Sequence, residues 1–114
     1  MKRGEVWTVS GGAEYAGKPR PAVILQSDKF VNTDSITLCL MTSQCEDEYE
    51  IRIDIRPNGT NGLSRPSQIM VDKMSTVPRT KLGEHIGFLG EEKMSQLESA
   101  MMKFLGLPRT GQAS

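Results

Sequence analysis

Residues 36–42 read Ile36-Thr37-Leu38-Cys39-Leu40-Met41-Thr42. Ile36, Leu38 and Leu40 alternate with Thr37, Cys39 and Met41, a period of two that sends successive side chains to opposite faces of a strand. A helix would repeat every 3.6 residues, so this stretch sets a β reading, and its neighbours agree. Upstream, Pro21-Ala22-Val23-Ile24-Leu25-Gln26 is a continuous apolar run, the pattern of a strand buried on both sides. Downstream, Ile51, Ile53 and Ile55 alternate with Arg52, Asp54 and Arg56, as in a half-exposed strand. Residues 3–10, 67–72 and 84–89 read as three more.

Punctuation separates these strands. Gly11, Gly12, Gly17 and Pro19 mark one loop. Between Arg56 and Ser67 two Asn-Gly pairs and two prolines make another, long enough for a small domain that it reads as functional or mobile. After Gly90 the period changes. Met94, Leu97, Met101, Phe104 and Leu105 follow three-four spacing, Glu91 and Glu92 suit a helix N-terminus, and Gly106 with Pro108 ends the run. Its apolar stripe is core packing or a subunit interface. Five to seven short strands and one closing helix predict a mainly β fold, a small bent sheet or barrel, as a single domain over 1–107 with a tail at 108–114.

Composition excludes several classes. The 114 residues carry 14 basic and 14 acidic side chains, so the chain does not coat nucleic acid through bulk charge, although a compact site can still grip a few phosphates. Basic residues gather at Lys18 and Arg20 and again at Arg65, Lys73, Arg79 and Lys81; Glu46, Asp47, Glu48 and Glu50 form an acidic run that reads as a solvated loop. No run of ~18 apolar residues exists, and Met1–Trp7 has no stretch fit for a signal peptide, so a cytoplasmic protein with reduced Cys39 and Cys45 is expected. No phosphate-binding glycine loop occurs. One histidine, His85, and two cysteines do not make a zinc site, and no cofactor is expected. His85 reads as structural or superficial.

Three segments remain for chemistry. In Lys18-Pro19-Arg20-Pro21, two prolines stiffen the backbone of an arginine at the mouth of a buried strand. Arg20 can offer a planar fork to a phosphate, or merely cap a strand end. Thr42 and Ser43 close the 36–42 strand, with hydroxyls able to orient a phosphate or to start a turn. Ser67 and Gln68 can read base edges or sugar hydroxyls, and Asp72 can act as a base or touch substrate; the bland alternative is a polar strand end.

Together, Arg-Gly-Glu-Val-Trp (3–7), Arg-Pro-Ala-Val-Ile-Leu (20–25), Met-Thr-Ser (41–43), Pro-Ser-Gln-Ile-Met-Val-Asp (66–72), Thr-Val-Pro-Arg-Thr-Lys-Leu (76–82) and the amphipathic helix resemble, in order and spacing, the MazF/PemK family of messenger-RNA interferases. The resemblance spans residues 2–107. It implies an SH3-like barrel with a C-terminal helix, working as a homodimer. It also implies a toxin that cuts single-stranded, sequence-defined RNA without metal and is blocked by a cognate antitoxin. It places Arg20 and Thr42 as the catalytic pair and Ser43, Gln68 and Asp72 in the RNA site. Glu14, Tyr15, Lys18 and Ser67 join them as expected RNA contacts, Tyr15 by stacking on a base. The expected chemistry is attack by the RNA's own 2′-hydroxyl, leaving a 2′,3′-cyclic phosphate and a 5′-hydroxyl. Arg20 would stabilise the phosphorane and Thr42 hold the reacting groups in line, with Asp72 or Glu14 as candidate base.

One departure stands out: some members carry an arginine where this chain has Met70, so no scheme using that arginine applies. The alternative within the superfamily is a non-enzymatic inhibitor of DNA gyrase acting through its C-terminal residues. This chain ends Gly-Gln-Ala-Ser, with no aromatic anchor, and retains Arg20 and Thr42. A peptide-binding adaptor of SH3 type would need an aromatic groove, and six scattered aromatics do not make one.

Overall fold

A computed structural model describes residues 1–10, 18–30, 32–45 and 51–108. Six strands follow one another before a single helix: β1 (Glu5–Val9), β2 (Arg20–Ile24), β3 (Ser35–Thr42), β4 (Arg52–Ile55), β5 (Ser67–Pro78), β6 (Leu82–Phe88) and α1 (Glu91–Leu105). All pair antiparallel in one sheet of order β4-β5-β3-β2-β1-β6. This is the mainly β architecture with a C-terminal helix that the alternation predicts.

The sheet is curled. A flat sheet would set its two edge strands about 24 Å apart. Yet one apolar cluster takes Val6 from β1, Val23 from β2, Cys39 and Met41 from β3, Ile55 from β4, Ile69 and Val71 from β5, and Leu97 from α1, with Ile86 of β6 packed against it. Only a strongly bent sheet brings side chains from every strand to one core. A smaller cluster, Val9, Ala22, Ile24, Ile36 and Leu38, lies on the opposite face. Residues 22–24 are therefore buried on both sides, as their unbroken apolar run predicts.

β4 and β6 are not hydrogen-bonded to one another, and the loop after β4 reaches across to β6. Thr60 O accepts the Phe88 N–H at 2.9 Å. Gly62 takes φ +73° against Ile86, where a Cβ would collide with the Ile86 carbonyl. Asn61, 1 % exposed, is the hub. Its Nδ2 donates to Arg56 O at 2.8 Å, and its Oδ1 accepts the Leu63 N–H at 3.0 Å. A stretch that reads as a functional or mobile loop is thus a hydrogen-bonded closure of the barrel.

Two element boundaries differ from expectation. β5 runs to Pro78 rather than stopping at residue 72, because an irregularity in its pairing with β3, between Cys39 and Met41, shifts the alternation and hides the continuation. β6 starts at Leu82, and Leu89 has left the strand for the core. The helix has the predicted bounds, closed by Gly106 at φ +71°. Its stripe is core only in part: Leu97 is buried and Met94 and Met101 pack on the core, whereas Phe104 and Leu105 are exposed. A 15-residue helix is marginal alone, so the Leu97 side of α1 carries its stability.

Candidate functional site

β2 begins at Arg20, between Pro19 and Pro21. The Arg20 side chain is half-buried, with its Nε sealed from solvent. Beside it opens a cleft of about 630 Å³. The entry to β2 contributes Lys18, Pro19, Arg20 and Pro21, with Thr8 of β1 next to them. The end of β3 contributes Met41, Ser43 and Gln44. The loop before β5 contributes Gly62, Leu63, Ser64 and Arg65, followed by Ser67. Three cations thus share the cleft with several hydroxyls and an amide. None of the described residues lining it is a carboxylate.

Strand pairing brings the start of β2 towards the end of β3: Ala22, two residues after Arg20, pairs with Leu40, two residues before Thr42. Thr42 in turn pairs with Gln68, and Gln68 with Asp54. Directly opposed residues share a face, so Thr42, Gln68 and Asp54 form one polar row across three strands. The Thr42 hydroxyl accepts the Gln44 N–H at 3.1 Å, which ties the row to the cleft.

Of the expected site residues, Lys18, Arg20, Ser43 and Ser67 line the cleft, and Thr42 stands beside it. Gln68 is 4 % exposed and donates from Nε2 to Asp54 Oδ1 at 2.9 Å. Asp72 lies further along β5, outside the cleft lining, with Oδ1 3.7 Å from Arg52 Nε. The reason is positional: β5 is flanked by β3 and β4, so its polar side chains find partners within the sheet. Arg52 is also less accessible than a half-exposed strand implies, its side chain 8 % exposed. Glu14, Tyr15 and the acidic residues 46–50 lie outside the described residues.

Sequence reasoning does not single out Gln44, Ser64 or Arg65. Arg65 appears there only as one of the basic group 65–81, whose other members do not line the cleft. Arg79, for one, donates to Thr33 O at 2.8 and 3.1 Å. The useful signal is the two Asn-Gly pairs just before Arg65, which demand a tight, built loop.

Three titratable groups outside the cleft pack against the fold. His85 stacks on Trp7 with ring centroids 5.4 Å apart, its Nε2 2.9 Å from Gly87 O and 3.8 Å from Glu5 Oε2. Burial pushes the Glu5 carboxyl up. The Trp7 indole N–H, the Lys2 N–H, His85 and the N-terminal ammonium outweigh this and hold it below its ordinary value. Burial, aided by the charge of Asp72, pushes the Cys39 thiol up to about 12. Among the described residues no group of three or more His, Cys, Asp or Glu side chains can hold a metal ion. No helix among them is long and apolar enough to cross a membrane.

Residues 2–105 match the model of the PemK-like, MazF-like toxins of type II toxin–antitoxin systems. A protein of Mycolicibacterium smegmatis named probable endoribonuclease MazF is 40 % identical over 107 residues, covering 94 % of this chain and 98 % of the relative. The fold superposes on Mycobacterium tuberculosis toxin MazF-mt6 with a TM-score of 0.78 at 22 % identity, covering 92 % of this chain and 99 % of the other. It also superposes on a mycobacterial endoribonuclease solved with its cognate antitoxin, with a TM-score of 0.77 at 18 % identity and 96 % of each chain covered. By the match over residues 2–105 and the relative at 40 % identity, the chain belongs to the PemK-like, MazF-like family of type II toxin–antitoxin toxins.

Proposed function

We propose that this chain is the toxin of a type II pair and acts as a sequence-specific, metal-independent endoribonuclease on single-stranded RNA. The observation that carries the reading is the cleft that gathers Lys18, Arg20 and Arg65, with Thr42 closing β3 beside it. In a chain of zero net charge such a concentration of cations fits a local polyanion. The M. smegmatis relative, named probable endoribonuclease, supports the activity, and the antitoxin-bound mycobacterial structure supports a cognate antitoxin as partner. The working form is a cytoplasmic homodimer, with residues 1–107 as the toxin domain.

The reaction fits what these side chains can do. The substrate's 2′-hydroxyl attacks the adjacent phosphorus. Its proton leaves to a base, the P–O5′ bond breaks, the 5′-oxygen takes up a proton, and a 2′,3′-cyclic phosphate remains. Charge develops on the non-bridging oxygens, where a preset guanidinium is most effective. Arg20 serves there as stabiliser rather than as a proton carrier, since its pKa is too high. The Thr42 hydroxyl orients the phosphate or the attacking hydroxyl. The base is less constrained. Asp72 faces Arg52 outside the cleft lining, and Glu14 lies outside the described residues.

The test is incubation of the purified chain with a long single-stranded RNA in excess EDTA, followed by mapping of the cuts. Discrete cuts at a recurring short sequence are expected. Intact RNA from folded protein would reject the reading and direct the next assay to inhibition of DNA gyrase.

A further inference from the structure

We infer that the β4–β5 loop is the second cationic element of the RNA cleft, with Arg65 as a phosphate-binding residue and Asn61 as the residue that positions it. This deepens the endoribonuclease reading and rests on it. Lys18 and Arg20 enter the cleft from the start of β2, whereas Arg65 enters from the other side of the chain, 45 residues later in sequence but in the same 630 Å³ space. Two cationic elements flanking one cleft suit a strand with successive phosphates better than a single anion.

The loop is built to hold that position. Asn61 is 1 % exposed and bonds across the loop to Arg56 O, Leu63 N and, at 3.3 Å, Asn58 N. Asn58 Oδ1 accepts the N–H groups of Thr60 and Asn61, both at 2.8 Å. Gly62 seats the backbone on Ile86, and the Ser67 hydroxyl donates to the Arg65 carbonyl at 3.0 Å. Backbone on both sides of Arg65 is therefore fixed while its side chain stays exposed. A preset cation loses less entropy on meeting a phosphate than one on a loose loop.

The test uses the full chain and a single-stranded RNA of the sequence it cuts, carrying a deoxynucleotide at the cut so that it binds uncleaved. Binding is followed from 50 to 200 mM salt, and cleavage of the all-ribose strand in parallel. Arg65→Ala is expected to weaken binding about tenfold at low salt, as for one lost charged hydrogen bond. It should also reduce the steepness of the log–log salt dependence by ~0.7. Arg65→Lys should keep the salt slope and recover part of the affinity. Lys29→Ala, removing an exposed cation outside the cleft, should change neither. Asn61→Ala should weaken binding, and the double variant should bind no worse than Arg65→Ala, because positioning acts through Arg65. Wild-type affinity and salt slope in Arg65→Ala would overturn the inference, as would additive losses in the double variant. Wild-type protein that leaves RNA intact would remove the endoribonuclease reading and this inference with it.

Discussion

Two sets of polar side chains lie close together on this sheet and meet different ends. Around the cleft, Lys18, Arg20 and Arg65 gather with no carboxylate among the described residues that line it. On β4 and β5, by contrast, Arg52 faces Asp72 at 3.7 Å and Gln68 donates to Asp54. The first set concentrates positive charge that an anionic ligand can neutralise. The second neutralises itself inside the fold. In a chain whose charges sum to zero, the cleft stands out because three cations gather among its described lining residues.

That contrast breaks first at Arg20. Arg20→Ala should slow RNA cleavage by about a hundred- to a thousandfold, the cost of removing one preset donor at developing charge. Its denaturant midpoint should stay close to wild type. Thr42→Val, which keeps shape and strand preference, should slow cleavage by about tenfold. In the second set the effects reverse. Arg52→Met should lower unfolding free energy by about 2 kcal/mol, between the values for exposed and fully buried pairs, and leave cleavage within a few-fold. A stable but inactive Arg52→Met would move Arg52 into the active machinery and erase the contrast.

Much of this was legible in sequence. Period-two runs gave the strands, three-four spacing gave α1, and proline on both sides of Arg20 marked a stiff arginine at a strand mouth. What alternation cannot convey is which face a strand presents to a neighbour far away in sequence. Gln68 and Asp72 read as candidate contacts from their residue types, and nothing local shows that β4 will bring Asp54 and Arg52 beside them. The irregular pairing of β5 hid its second half for a similar reason. The loop at 56–66 was read by its turn residues alone, and those do not reveal that Asn61 is buried or that Arg65 lines the cleft.

Smaller effects sharpen the picture of the interior. Cys39, buried and with its thiol raised to about 12, should resist alkylation at pH 8 in the native protein, while exposed Cys45 reacts. Mass spectrometry should count one adduct per folded chain and two after unfolding. Two adducts on the folded chain would place Cys39 in an open environment. Glu5 has a folded pKa below its unfolded value of 4.5, so its contribution is full above about 4.5 and fades as pH falls through the folded value. Glu5→Gln should therefore flatten the acid limb of the stability profile slightly, leaving stability below pH 5 less dependent on pH than in wild type. An unaltered acid limb would show that Glu5 titrates alike in both states.

The most direct measurement is the chemistry of the ends left after cleavage of a single-stranded RNA in EDTA, compared with the same strand carrying one deoxynucleotide at the cut. The account predicts 2′,3′-cyclic phosphate and 5′-hydroxyl ends on the first strand and no cut in the second. Ends with 5′-phosphate, or cleavage that proceeds past the deoxynucleotide, would contradict a mechanism in which Arg20 stabilises attack by the RNA's own hydroxyl.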